Sequence, residues 1–152
     1  MSPVIVFAAL LGASVWVGGF AAIAVVARIA RRQLAHPAQV AFFRALGREY
    51  AVIGTPALVI ALAAGGMLLQ DRAWDGTAAG AVAVAGALVL ATAAGVAQAR
   101  GMTRLRTRAL RERGDAVLAG RIRRGAVLAG ALRAAIGLLS LALLALAAVL
   151  AA

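Results

Sequence analysis

The chain has 152 residues, of which 64% are hydrophobic, and its mean hydropathy is +0.98. This exceeds what a soluble domain of this length needs to fill a core, so part of the apolar surface must face lipid. The formal net charge is +11, and the 16 basic residues are all arginine. The chain contains no cysteine, which excludes disulfides, thiolate catalysis and thiolate-ligated metal centres.

The first apolar segment runs without a charge for 24 residues, from Val4 to Ala27. At ~1.5 Å rise per residue this makes ~36 Å of helix, enough to cross ~30 Å of hydrocarbon. A cleaved signal peptide is the alternative, but no Lys or Arg precedes the run, and the run exceeds the usual ~7–15 residues. We therefore predict a membrane span at 4–27.

Three further uncharged segments are long enough to cross a membrane, at 51–70, 77–99 and 134–152. All four lack an alternating pattern, which favours helices over a barrel. The sequence therefore predicts an all-α fold and a single integral membrane domain over 1–152. We expect four transmembrane helices in an up-down-up-down bundle, with helices three and four extended as a cytoplasmic Arg-rich hairpin over 100–133.

The arginines are unevenly divided among the connections. Five lie between spans one and two, nine lie between spans three and four, and Arg133 flanks span four, whereas Arg72 alone lies between spans two and three. The positive-inside rule then places both Arg-rich connections in the cytoplasm and both termini outside. The predicted location is a bacterial-type inner (cytoplasmic) membrane, crossed several times.

The arginine clusters indicate membrane lipids as partners. Arginines beside a span hold its orientation and attract anionic headgroups, at about 1 kcal/mol per residue near the surface. Nucleic acid is not expected, because no aromatic residues interleave with the arginines as single-strand binding needs. A homo-oligomer or a membrane protein partner stays open.

Both long connections show helical patterns. Pro37 is placed where helix two can begin, and Pro56 predicts a kink in that helix. The apolar stripe that follows Pro37 consists of Val40, Phe43, Leu46 and Tyr50, with Arg44 and Arg48 elsewhere on the circle. In the second connection, Gly114 is predicted to end one helix and Asp115 to cap the next. Its two stripes are Met102, Leu105 and Ala109, and Leu118, Ile122 and Gly125.

Few residues can carry chemistry. His36 is the one histidine, and all five acidic residues lie outside the predicted spans. Haem and zinc sites need several ligands, and proton-coupled carriers need an ionisable group inside the bilayer. Ser14 and Ser140 have no buried His or Asp to activate them. We expect no catalytic residue, cofactor or metal site, and an enzyme is the third choice of function.

Arg133 is the charged residue closest to a span interior. It either rests at the headgroup boundary or has a buried role, paired with Glu49 and joined by the Tyr50 hydroxyl. Small residues at helical spacing let helix backbones approach closely in lipid. The spaced pairs are Gly12 with Gly19, Gly76 with Gly80, and Ala126 with Gly130.

Trp16 lies near the centre of the first span, away from the interface that membrane tryptophans prefer. Gly12, Trp16, Gly19 and Ile23 share one helix face, which we therefore expect to contact protein. The indole N–H needs an acceptor at that depth, and Ser140 or Thr92 can supply one.

Three motifs carry a family resemblance: VWVGG at 15–19, FFRALGREY at 42–50, and a helix with Thr55-Pro56 and Gly65-Gly66. They resemble small four-helix proteins of the copper-resistance-D-like superfamily and its uncharacterised relatives, over the first half of the chain. The resemblance implies copper uptake or, in a related branch, haem biosynthesis, usually through histidines in membrane helices. This chain has none there, and its internal soft ligands, Met67 and Met102, belong to opposite ends of their helices.

The leading hypothesis is a non-enzymatic four-span membrane protein that acts through lipid, helix or protein contacts. The alternative is a small-solute or ion transporter, with polar contacts from Ser14, Thr55, Thr92, Ser140 and Arg133. A polar cavity lined by these side chains at mid-membrane would favour transport, whereas a dry bundle would favour the structural role. A copper- or haem-related role is less favoured.

Overall fold

The computed structural model describes residues 2–70, 72–111 and 116–151. The described chain is all-helical and contains α1 (Pro3–Gln33), α2 (His36–Gln70), α3 (Gly76–Arg111) and α4 (Ala116–Ala151). The predicted all-α class with four helices is confirmed. Gly114 and Asp115, predicted to end α3 and cap α4, lie outside the described residues.

All four helices are long and apolar enough to cross a membrane. The segments that meet these criteria are Pro3–Gln33, Ala41–Gln70, Gly76–Leu105 and Gly120–Leu150. These segments extend beyond the predicted spans at the ends that carry arginines. Arginine is a good helix former, and a continued helix pairs the backbone N–H and C=O groups of these residues.

A connection of two residues, Leu34 and Ala35, joins α1 to α2. The Gln39 Nε2 group donates to the carbonyl oxygens of Leu34 and Arg31, at 2.8 and 3.2 Å. These bonds satisfy acceptors at the C-terminus of α1, which its own helix leaves without donors. α2 begins at His36, which confirms the predicted start near Pro37.

Pro56 lies inside α2, which continues to Gln70. The proline has no N–H to donate to the carbonyl four residues earlier. The kink expected there stays a prediction.

The chain divides into two compact units, Met1–Asp75 and Gly76–Ala152. We call α1 with α2 the first helix pair, and α3 with α4 the second helix pair. In the first pair, Gly12 lies against Ala57 and Ala61, whereas Gly19 lies against Tyr50. Residue numbers therefore rise along α1 as they fall along α2, so the two helices are antiparallel.

The core of the first helix pair is made mainly of small residues. Its buried positions are Gly12, Trp16 and Ala30 on α1, and Gly54, Ala57, Leu58 and Ala64 on α2. The predicted stripe is half-buried at Phe43, Leu46 and Tyr50, while Arg44 and Arg48 are exposed. The side chain of Val40 lies outside the described ones. Helical spacing therefore predicted the outer and inner faces of α2 correctly.

The second helix pair has its own core. The buried positions are Ala78, Ala81 and Leu88 on α3, and Ile136 and Ser140 on α4. Met102, Leu105, Ile122 and Gly125 from the predicted stripes are half-buried, and the side chains of Ala109 and Leu118 lie outside the described ones. A Cβ atom at Gly125 would overlap Met102 Sδ, so these two stripes meet.

The spaced pairs Gly76 with Gly80 and Ala126 with Gly130 do not form the described α3–α4 contact, and close helix packing at them stays a prediction. A Cβ atom at Gly76, Gly80 or Gly130 would find no described atom within 4 Å, and Ala126 is exposed. The neighbouring Ala78 and Ala81 are buried instead. Since each residue advances the helix by about 100°, a shift of one or two positions moves a residue to another face.

Gly12 provides a test of the α1–α2 contact. A Cβ atom there would lie 2.6 Å from the Ala57 carbonyl oxygen and 2.9 Å from the Ala61 nitrogen, and backbone atoms cannot move aside as a flexible side chain can. We expect Gly12→Ala to lower stability by roughly 1–3 kcal/mol. The measurement is unfolding of the full chain in detergent.

Gly18→Ala is the matched control, because a Cβ atom at Gly18 meets open space. Replacing a mid-helix glycine by alanine also favours the helix by roughly 0.5–1 kcal/mol, so this variant should be neutral or more stable. Equal destabilisation by both variants would contradict the described contact.

Candidate functional site

An aromatic cluster joins α1 to α2. The ring centroids of Trp16 and Phe20 are 5.0 Å apart, those of Phe20 and Tyr50 are 5.6 Å apart, and those of Trp16 and Tyr50 are 6.0 Å apart. Both contacts of Phe20 are edge-to-face, the arrangement that the ring quadrupole favours. Trp16 is only 6% exposed, so its predicted face does contact protein.

Tyr50 is the polar member of the cluster. Its hydroxyl donates a 2.8 Å hydrogen bond to the carbonyl oxygen of Trp16. A carbonyl oxygen has two lone pairs, so this bond adds to the bond within α1 without replacing it. The hydroxyl therefore has a hydrogen-bond acceptor in apolar surroundings, where a donor without an acceptor would cost free energy.

Two glycines make room for the Tyr50 ring. A Cβ atom at Gly19 would overlap the ring, and one at Gly54 would lie 2.9 Å from Cζ. Sequence reasoning selected Gly12, Trp16, Gly19 and Tyr50 but missed Phe20 and Gly54. Their signal was present, because Phe20 follows Trp16, and Gly54 follows Tyr50, by the four residues that place side chains on one helix face. The arrangement is a packing site with one hydrogen bond.

The two predicted acceptors for the Trp16 N–H belong to the second helix pair. Thr92 Oγ1 donates to Leu88 O at 2.8 Å, and Ser140 Oγ donates to Ile136 O at 2.8 Å. Each hydroxyl is therefore used as a donor within its own helix, as is common for Ser and Thr in apolar helices. A hydroxyl oxygen can still accept, and its bond with the indole stays a prediction.

Gln98 is a site residue that sequence reasoning missed. Its Nε2 group donates to Gly125 O across the second helix pair, at 2.7 Å. Its Oε1 atom is buried and has no hydrogen-bond partner within the described part of the chain. The available signal was a carboxamide at the end of the uncharged segment 77–99, because polar side chains in membrane helices often bond across helices.

The remaining predicted residues lie on the surface of their helix pairs. Glu49 forms an ion pair with its neighbour Arg48 at 3.5 Å, with both side chains more than two-thirds exposed. Such an exposed pair contributes little to stability. Thr55 and Ser14 are exposed in the first helix pair, and Arg133 is exposed in the second. Pairing of Glu49 with Arg133 stays a prediction.

Residues that could bind a metal are dispersed. Within the described ranges, no group of three or more His, Cys, Asp or Glu residues is placed to hold an ion. Met67 is half-exposed in the first helix pair, and Met102 packs on Gly125 in the second. The described geometry thus offers helix packing and arginine-rich surfaces as its chemical features.

Comparison of the chain with protein families, with characterised proteins and with solved structures finds no match.

Two substitutions of Tyr50 separate the contribution of its hydrogen bond to stability from that of its ring packing. We expect Tyr50→Phe to lower the free energy of unfolding by about 1 kcal/mol, since it removes one hydroxyl donor and keeps the ring. Tyr50→Ala should cost about 3–5 kcal/mol, since it also opens a cavity of aromatic size. Unfolding of both variants in the same detergent measures the difference, and equal costs would refute the ring packing.

Replacing Gln98 by Leu has two opposing effects on stability. Gln98→Leu loses one hydrogen bond, about 1 kcal/mol, but also removes a buried unpaired acceptor that costs about 1–3 kcal/mol. The variant should therefore be as stable as the unsubstituted chain, or more stable, in thermal unfolding. A clear loss of stability would show that Oε1 has a partner in the folded protein.

Proposed function

We propose that the chain is a non-enzymatic, multi-pass membrane protein that acts through lipid, helix or protein contacts. The observation that carries the proposal is the presence of four helices that are long and apolar enough to cross a membrane. Large apolar side chains at many positions of these helices are exposed, for example Leu10, Val59, Leu90 and Leu138. Contact of these side chains with lipid carries no hydrophobic free-energy cost, whereas their exposure to water is unfavourable.

The proposed topology is an up-down-up-down arrangement in a bacterial-type inner membrane, with both termini outside. The arginine distribution supports it, because segments 28–50 and 100–133 between the predicted spans carry every arginine except Arg72. A single membrane domain formed by both helix pairs is part of the same proposal.

The Arg-rich hairpin over 100–133 is proposed as the cytoplasmic contact surface. The arginine side chains that are described there are all exposed: Arg100, Arg104, Arg121, Arg123, Arg124 and Arg133. Exposed guanidinium groups next to a membrane attract anionic headgroups. Anionic lipid is therefore the proposed primary partner, and a protein partner would bind to the same surface.

A kinship with the copper-resistance-D-like superfamily is a separate proposal. Its first two motifs, at 15–19 and 42–50, contact each other through Trp16, Gly19 and Tyr50. This contact supports treating the two motifs as one packing unit. It does not bear on copper or haem.

The orientation can be tested with cysteines, because the chain has none of its own. In intact cells, Thr107→Cys should resist an impermeant thiol reagent, since 107 lies in the proposed cytoplasmic hairpin. Asp75→Cys should react, since 75 lies in the proposed outer link. The reverse labelling pattern would overturn the topology, and labelling of both cysteines in washed, non-membrane fractions would overturn membrane insertion.

A further inference from the structure

The arginines of the first helix pair are not spread evenly around it. Contacts define the inner faces: Gly12 and Trp16 on α1, and Tyr50, Gly54 and Ala57 on α2. Counting about 100° per residue from these faces gives the direction of every exposed side chain. The angle is measured around each helix axis from its inner face, in the direction in which residue number increases. In an antiparallel pair, equal angles of the same sign on the two helices then point to the same side of the pair.

Four arginines lie on one side by this count. Arg31 lies about 100° from the inner face of α1, and Arg44 lies about 100° from that of α2 in the same sense. Arg28 lies further round α1, and Arg48 lies further round α2, each at about 150°. All four side chains are exposed, and Arg48 is ion-paired with Glu49.

Arg28, Arg31 and Arg44 are also at similar positions along the long axis of the helix pair. The bond from Gln39 to the Arg31 carbonyl and the bond from Tyr50 to the Trp16 carbonyl align the two helices. Between these two points, Arg28 lies at about the level of Arg44, and Arg31 lies about one helical turn nearer the connection. Because Gln39 holds the end of α1, the position of Arg31 relative to α2 is fixed.

The opposite side of the pair has different chemistry. Phe42 and Glu49 lie about 100° from the inner face of α2 in the other sense, and the Glu49 carboxylate pairs with Arg48. Among the described residues of this helix pair, no carboxylate is ion-paired with Arg28, Arg31 or Arg44. Within the described residues of the first helix pair, these three charges are therefore uncompensated.

The surface between these arginines is formed by small residues that project little from the helices. Ala27 and Gly47 lie about 50° from the inner faces on the same side. A Cβ atom at Gly47 would find no described atom within 4 Å, so no described side chain covers this position. Within the first helix pair, the described atoms therefore leave the surface beside Arg44 open to a headgroup.

We propose that Arg28, Arg31 and Arg44 form a binding site for the headgroup of an anionic phospholipid, with its acyl chains lying along the first helix pair. The site rests on the proposed membrane insertion of α1 and α2. Charge complementarity supports this occupant, because three arginines lie on one side of the pair where the apolar segment 4–27 ends, which the proposed insertion puts at the depth of lipid phosphates.

The test uses the full chain in neutral detergent, titrated with phosphatidylglycerol and observed by native mass spectrometry. Each arginine near a membrane surface contributes about 1 kcal/mol, or about fivefold in affinity. Arg28→Gln with Arg44→Gln should therefore weaken binding of the first phosphatidylglycerol by about twenty- to thirtyfold. Phosphatidylcholine should bind the unsubstituted chain more weakly than phosphatidylglycerol does.

Arg44→Gln and Arg72→Gln are the matched single variants, since each removes one charge from the same unit and Arg72 lies beyond the C-terminal end of α2, away from the proposed site. Arg44→Gln should weaken binding about fivefold, whereas Arg72→Gln should leave the affinity essentially unchanged. Equal losses in these two single variants would show that binding follows net charge, and would overturn the site. Displacement of the lipid by inorganic phosphate at equal concentration would overturn phospholipid as the ligand.

Arg28→Lys with Arg44→Lys covers the case in which the glutamine variant does not fold. Lysine keeps both charges, so this variant should retain most of the affinity. A loss as large as that expected for the glutamine variant would overturn the charge argument. Cysteine labelling at 75 and 107 tests membrane insertion independently, so failure of the lipid site and failure of the proposed topology can be told apart.

Discussion

The close approach of the α1 and α2 backbones at Gly12 is the constraint on which the first helix pair depends. With no Cβ atom at Gly12, the Ala57 carbonyl lies in the space that a side chain would fill. The Tyr50 hydroxyl reaches Trp16 O at 2.8 Å only because the helices are this close. A separation larger by about 1 Å would take that bond beyond hydrogen-bond range.

In both helix pairs, a long side chain donates to a carbonyl oxygen of the facing helix close to a glycine. Tyr50 does so beside Gly19, and Gln98 donates to Gly125 itself. Gly19 makes room for the Tyr50 ring, whereas Gly125 makes room for Met102. The two residues differ in one respect, because the phenol has one O–H to satisfy, whereas the carboxamide also carries Oε1, which has no hydrogen-bond partner among the described residues.

The helices could be predicted from the sequence, because uncharged length and the absence of alternation depend on local composition alone. Contacts were harder to predict. Spacing showed that Gly76 and Gly80 share a face, but not that Ala81, one residue on, would be the one buried. For Trp16 the prediction succeeded, because a large indole far from the interface has few favourable surroundings other than protein. Gln98 was missed, since its bond depends on the register of α3 against α4.

The small number of close contacts leaves most of the first helix pair free to vary. Leu10 and Val25 are about three-fifths exposed, so the structure requires of them only that they be apolar. Gly12, Gly19 and Tyr50 are held by atoms of the facing helix and tolerate few replacements. Over evolutionary time such a pair can exchange much of its sequence and keep its geometry, so its relatives would share a spacing of small and aromatic residues more than overall identity.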